Sequence, residues 1–210
     1  PGNFQRFEAN YRALRALDLD NLSIGIHSVI SVFNVDQVSE LFDYAFGLAP
    51  DAYITEIAEE RVELDTVGLE ITPDVDRYTA AMQDLIARIE GRTFSGLGRI
   101  TEAFRVEYYW LVSRILRQRT QVIGCYAGWA SAQIYADGTV WPCCVRADDM
   151  GNVRDVEYDF SKIWFSPAAD RVRRSIYAKE CACPLANAAY TNMLHHVPTL
   201  FKVGWRVLLG

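Results

Sequence analysis

All five cysteines of this 210-residue chain fall between Cys125 and Cys183, as CYAGWASAQIYADGTVWPCC, a cysteine-free stretch, then CAC. Nothing else in the sequence restricts the fold as strongly. Isolated buried cysteines behave as small apolar residues, whereas thiols gathered around one hairpin point to a cage for a metal ion or cluster. Ala132-Gln133-Ile134-Tyr135, Asp137-Gly138 and Thr139-Val140-Trp141 read as the arms and tight turn of that hairpin, with Asp-Gly supplying the positive φ that the strand twist favours. Folding back brings Cys125, before one arm, near Cys143, after the other. Neighbouring strand residues point to opposite faces, so Cys143 and Cys144 are not expected to bind one ion together. Cys181 and Cys183, two apart on an extended piece, face the same way. Four thiolates from three chain positions suffice for a tetrahedral zinc or an iron–sulfur cluster, leaving one cysteine spare. The spacing alone leaves both metals open, although the C-x-x-C knuckles usual in zinc ribbons are missing, which tilts the balance towards a cluster.

The rest of the composition narrows the function classes. Half of the residues are apolar, enough for a sizeable core in one large domain or two small ones. A formal charge of −6 argues against a general nucleic-acid binder, because phosphate-backbone affinity depends on Lys and Arg. The run Arg171, Arg173, Arg174 reads as a solvated helix face. No apolar run is long enough to span a bilayer and no secretory leader opens the chain, so a cytoplasmic location is the default expectation. In that reducing compartment clustered thiols are metal ligands rather than disulfides. The opening Pro1, with no initiating Met, leads to the expectation that the chain is the rear part of a longer protein.

Before the cysteines the pattern is that of an α/β chain. Phe4 to Leu17 has helical periodicity, Leu22 to Phe33 reads as a buried strand, Val35 to Phe46 as a helix and Ala52 to Ala58 as a second strand. Helix, strand, helix, strand with short connections is the mark of βα units and a parallel sheet. Thr72 as N-cap and Pro73 at the first position predict a helix to about Arg92, and Arg99 to Arg119 predicts another. After Gln121 the character changes to short strands and turns, with a boundary near Thr120. Gly151-Asn152 reads as a turn, and Ser166-Pro167 as the start of a helix reaching about Ala178. The tail from Met193 to Leu209 is compatible with a helix packed on the first part, a docking surface or a membrane-surface contact, and Pro198 and Gly204 speak against one long helix.

The string Cys125, twelve residues, Gly138, four residues, Cys143, then Gly151-Asn152, Ile163-Trp164, a helix and Cys181-Ala182-Cys183-Pro184 resembles the C-terminal SPASM or twitch extension of radical S-adenosylmethionine enzymes. The resemblance covers about Gln121 to Asn187. It implies that Cys125, Cys143, Cys181 and Cys183 hold one auxiliary [4Fe-4S] cluster, with Cys144 as the alternate ligand. Further cysteines of the full SPASM pattern are missing, so the match is to the single-cluster twitch form. The closing pair is separated by one residue where the family often has two. The resemblance also implies the end of a partial (βα)6 barrel with a linking helix over residues 1–120, a twitch-like α+β domain over 121–192 and a tail over 193–210. The C-x-x-x-C-x-x-C loop that binds the catalytic cluster in this family is not in the sequence. S-adenosylmethionine and the second [4Fe-4S] cluster are therefore expected in a full-length parent enzyme only, and the piece alone is expected to be inactive.

By the same resemblance the partners are a peptide or small-molecule substrate and an external electron donor, with no nucleic acid. The auxiliary cluster would take an electron from the substrate radical or position the substrate. In the barrel, chemistry sits at the C-terminal strand ends, which makes Asn34 and Glu56 candidate cofactor-side residues, with Thr55 and Glu59 nearby. For Asn34 the competing role is a helix N-cap, and for Glu56 a salt bridge with an arginine. His27, inside an apolar strand, reads as a core histidine; His195 and His196 read as exposed, with cluster-side hydrogen bonding as the alternative. The competing function is a non-catalytic zinc- or cluster-stabilised docking or recognition module.

Overall fold

A computed structural model describes residues 2–209 of the chain, with side chains to Leu208. The first half is built on α1 (Asn3–Arg15), β1 (Gly25–Ile30), α2 (Val38–Gly47) and β2 (Ala52–Ile57). The two strands pair in parallel, Gly25 opposite Ala52 and Ile30 opposite Ile57. Parallel neighbours need a crossover, which α2 provides. β1 is shorter than its apolar run because Asn34 turns the chain: its Nδ2 donates to the Val29 carbonyl at 2.8 Å and its Oδ1 accepts from the Ser31 amide at 2.8 Å. Those bonds lie within the loop, and the Asn34 side chain caps no helix.

One face of this small sheet is dry. Ile26, Ile30, Tyr53 and Ile57 join Phe42 of α2 in the main core, and Tyr53 meets Phe42 edge-on at 5.8 Å. The other face carries His27, Val29, Ile54 and Glu56. His27 is half exposed and its Nε2 lies 3.7 Å from Glu56 Oε1, so it is not a core histidine, and the partner of Glu56 is this imidazole rather than an arginine. Strict alternation along the strand put His27 on the open face, which its apolar neighbours in sequence concealed.

Two long helices close the core, α3 (Val75–Glu90) and α4 (Leu97–Gln118). The cap of α3 is Asp74, not Thr72: its carboxylate accepts from the Asp76 and Arg77 amides, and Pro73 precedes the helix. Tyr78, Met82 and Leu85 of α3 interleave with Tyr108, Tyr109 and Val112 of α4. Arg119, with φ of +50°, stops α4 in the left-handed region.

The cysteine-bearing half holds a three-stranded antiparallel sheet of β3 (Gln133–Ile134), β4 (Thr139–Trp141) and β5 (Gly151–Asn152). Gly151-Asn152 is thus an edge strand and not a turn: Gly151 pairs with Val140, and an added Cβ there would meet Ile163 side-chain atoms at 3.3 Å. In the hairpin only Gly138 takes a positive φ, +94°, while the Asp137 carboxylate accepts from the Thr139 amide at 2.9 Å. Helices α5 (Phe160–Trp164), α6 (Pro167–Tyr177), α7 (Ala186–Leu194) and α8 (Val197–Leu209) follow. Ser166 caps α6 as its Ser-Pro start predicts, Oγ accepting from the Ala169 amide at 3.1 Å. Val140, Met150, Ile163 and Ala169 form a small separate core, whereas Ala186, Ala189 and Met193 of α7 enter the main one. α8 runs unbroken through Gly204, because Pro198 falls in its first turn where no amide donor is needed. Among the described residues, no helix is long and apolar enough to cross a membrane.

Candidate metal centre

The cysteine loops converge where α4, α7 and the antiparallel sheet meet. Cys125, Cys181 and Cys183 line one small cavity together with Gln121, Ala188 and Asn192. Cys125, Cys143 and Cys183 pack against a small cluster whose buried members are Cys144, Leu185 and Ala188. Cys143 lies just past β4, in a turn closed by the Ala147 amide donating to the Cys143 carbonyl at 3.1 Å. All five thiols are free.

Electrostatics separate four thiols from the fifth. Burial raises the Cys125, Cys143 and Cys183 thiols above the ordinary range, Cys183 most strongly. Opposing that, amide N–H groups point at the sulfurs and favour the thiolate: Ala127 at Cys125, Val145 and Arg146 at Cys143, and Leu185 at Cys183. The Asn192 side chain adds a donor to Cys125. Gln121 Nε2 donates to Cys181 Sγ at 3.5 Å, and the same sulfur helps keep the Arg146 guanidinium charged. Each of the four sulfurs also feels at least one of the others. Cys144 points away. Burial pushes its thiol up to about 11, and the next influences on it are the Arg61 guanidinium and the Glu63 and Glu59 carboxylates.

Residues 125–184 match the family described as SPASM, an iron-sulfur cluster-binding domain. This segment is a SPASM domain. Such domains bind iron–sulfur clusters and are typical of radical S-adenosylmethionine enzymes. No curated protein and no solved structure gives a significant match to the chain.

The SPASM domain is braced by residues whose role the sequence did not announce. Arg173, read from its neighbours as part of a solvated face, is 4 % exposed. Its guanidinium lies between Trp164 at 4.6 Å and Trp129 at 5.1 Å, and its Nε donates to the Gly128 carbonyl at 2.6 Å. That clamp fixes the Tyr126–Ser131 loop leading away from Cys125. Asn192 Oδ1 accepts from the Tyr126 amide at 2.7 Å, holding the same loop against α7. His195 stacks on the Tyr126 ring at 4.4 Å and its Nδ1 meets the Thr191 carbonyl, while His196 bonds to Thr199 Oγ1. A periodic pattern could not have revealed Gln121, Arg146 or Asn192, which lie in a linker, a turn and a helix.

Beyond the C-terminal end of β2 lies a further charged pair. Glu59 is buried, its Oε1 accepts from Arg61 Nη2 at 2.9 Å, and its Oε2 has no hydrogen-bond partner. Burial raises its carboxyl to about 7 despite Arg61. Through Arg61 it faces Cys144, and its charge also reaches Cys183. Glu56 instead lies on the open sheet face, lining a cavity of about 340 Å³ with Thr101, Phe104, Arg105 and Tyr190. A larger cavity, about 990 Å³ between α4 and α8, is lined by Trp110, Phe201 and Trp205 and lies away from the cysteines.

Proposed function

We propose that this chain carries the auxiliary-cluster portion of a radical S-adenosylmethionine enzyme and that its SPASM domain holds a single [4Fe-4S] cluster on Cys125, Cys143, Cys181 and Cys183. The observation that carries the reading is the division among the thiols. Four of them have N–H donors that favour the thiolate, while Cys144, in the same cluster, has none among its influences and faces Arg61. N–H donors aimed at sulfur are the provision that a cluster's thiolates require, and they set its potential. When bound, the cluster supplies a one-electron acceptor. With four protein thiolates it has no iron position left for substrate, which favours electron transfer over substrate binding. The chain's own residues hold the thiols in place: Arg173 and Asn192 the Cys125 loop, the Ala147 turn Cys143, and Gln121 and Arg146 Cys181. On this reading β1, α2 and β2 are βα units from the end of the partial barrel, and the open face with Glu56 turns towards its lumen. The catalytic loop C-x-x-x-C-x-x-C is not in the sequence, so cleavage of S-adenosylmethionine is not assigned to these residues.

Anaerobic reconstitution tests this. The expected product is brown, with about four irons per chain and the broad visible absorption of a cluster. Cys125→Ala, Cys143→Ala, Cys181→Ala and Cys183→Ala should each lose it, and Cys144→Ala should keep it. A colourless protein with one tightly bound zinc would replace this reading with the zinc-stabilised recognition module. Cluster loss in Cys144→Ala with retention in Cys143→Ala would reverse the ligand choice.

A further inference from the structure

The four thiols proposed as ligands do not share one environment. Cys183 is the driest, packed with Leu185 and Ala188, and receives one backbone amide. Cys181 is served by side chains from two distant parts of the chain. Gln121, itself buried, comes from the segment after α4 and splits its amide between the Ile176 carbonyl at 2.9 Å and Cys181 Sγ at 3.5 Å. Arg146 comes from the turn after Cys143. One edge of its guanidinium pairs with Asp148 at 2.5 Å, while its Nη1 is buried without a hydrogen-bond partner. A buried guanidinium donor left open costs free energy unless an acceptor completes it. Among the groups that hold this guanidinium charged against its burial, Cys181 comes first and Asp148 next.

We propose that Gln121 and Arg146 act as a donor pair on Cys181 that raises the reduction potential of the auxiliary cluster and makes the Cys181 corner the one where added negative charge is held. The proposal rests on the cluster reading above. Its physical basis is that reduction adds one negative charge to the cluster and its thiolates, and donors aimed at a sulfur stabilise that charge more than the oxidised state. Arg146 contributes a full positive charge and Gln121 a fixed amide dipole, both in a partly buried site where such interactions are stronger than in water. Asp148 on the far side of Arg146 orients the guanidinium and offsets part of its charge. These are positioning residues: they act through Cys181, and neither is proposed to touch substrate.

The test is a spectroscopic redox titration of the reconstituted chain, comparing wild type with Gln121→Leu, Arg146→Gln and Arg146→Lys. Gln121→Leu and Arg146→Gln should each shift the oxidised-to-reduced ratio at fixed potential about tenfold towards oxidised, which for one electron is about 59 mV. Arg146→Lys, which keeps the charge without the planar fork, should recover part of the shift. Failure of wild type to take up iron would sink the cluster reading itself. Full iron loading in all four proteins with indistinguishable potentials would overturn the donor-pair inference and leave the cluster reading standing. Should Gln121→Leu fail to load, the two Arg146 variants decide alone, and unchanged potentials in both refute the pair.

Discussion

Replacing Arg173 by Met keeps most of the side-chain volume and removes the charge, the planar stack and the donors. Four interactions are lost. The bond from Nε to the buried Gly128 carbonyl is charge-assisted, worth about 1.5–3 kcal/mol. The contacts with the Trp164 and Trp129 rings contribute about 0.5–2 kcal/mol each, the lower end applying to the more exposed Trp129. The pair with the half-exposed Asp170 adds only about 0.3–0.5 kcal/mol. Apolar contacts from the Met return part of this, so the expected net loss is about 2–4 kcal/mol.

Urea unfolding followed by tryptophan fluorescence reads this directly, since two of the affected side chains are Trp129 and Trp164. With a slope of about 2 kcal/mol/M the midpoint should fall by about 1–2 M. Arg173→Lys should recover less than half, because an ammonium cannot bridge both rings and the carbonyl in one plane. A fall below about 0.5 M for Arg173→Met, roughly 1 kcal/mol at that slope, would show that the guanidinium does not hold the Cys125 loop.

Two further perturbations follow from local geometry. Gly138→Ala places a methyl 2.7 Å from Asn152 Oδ1 at a φ of +94°, so it should destabilise the SPASM domain by about 1–3 kcal/mol; equal stability by urea unfolding would mean that the hairpin turn rearranges freely. Glu59 has its folded-state pKa raised to about 7 from 4.5 by burial. Between those values the unfolded chain has released the proton and the folded chain keeps it, so stability falls as pH rises through that window, by up to about 3 kcal/mol. Glu59→Gln should flatten that dependence and exceed wild type in stability at pH 8; a pH 5 to pH 8 drop that persists in the variant would assign it to another group.

What could be read from the sequence was what repeats or terminates. The strand–helix–strand order of the first half, the hairpin at Asp137-Gly138 and the Ser166 cap all rest on periodicity or local turn chemistry. Asp74 displaced Thr72 as the cap because a cap is chosen by which carboxylate or hydroxyl reaches the free amides, and Pro73 was consistent with either start. Gly151-Asn152 looked like a turn because two residues cannot show alternation; its pairing with β4 exists only across the sheet. Arg173 looked solvated because its neighbours Arg171 and Arg174 are charged, yet α6 turns Arg173 inward beside Ile176. The cysteine spacing singled out the SPASM segment, but the donors that distinguish one thiol from another come from Gln121, Arg146 and Asn192, at sequence distances that no spacing rule spans.

The thinness of the SPASM domain's own packing gives the proposed cluster a structural task. Its strands have two, three and two residues, and four fully buried side chains make up its separate core, far too little to offset the ordering of its chain. Further support comes from pins to the rest of the chain, among them Tyr108 Oη donating to the Pro184 carbonyl at 3.1 Å, Gln121 to the Ile176 carbonyl and the Tyr126 amide to Asn192. Each pin lies within a few residues of a proposed ligand. A cluster that ties Cys125, Cys143, Cys181 and Cys183 together closes the loops that the pins leave separate, and its binding free energy appears as folding free energy of this segment. Hydrogen exchange should therefore show the sheet amides of Met150 and Val153, which donate to Val140 and Gly138 carbonyls, protected in the loaded chain and strongly deprotected after chelation, with α3 and α4 amides protected in both. Loss of protection in α3 and α4 together with the sheet would mean that the two cores unfold as one unit, and unchanged protection of the sheet would mean that the pins alone suffice.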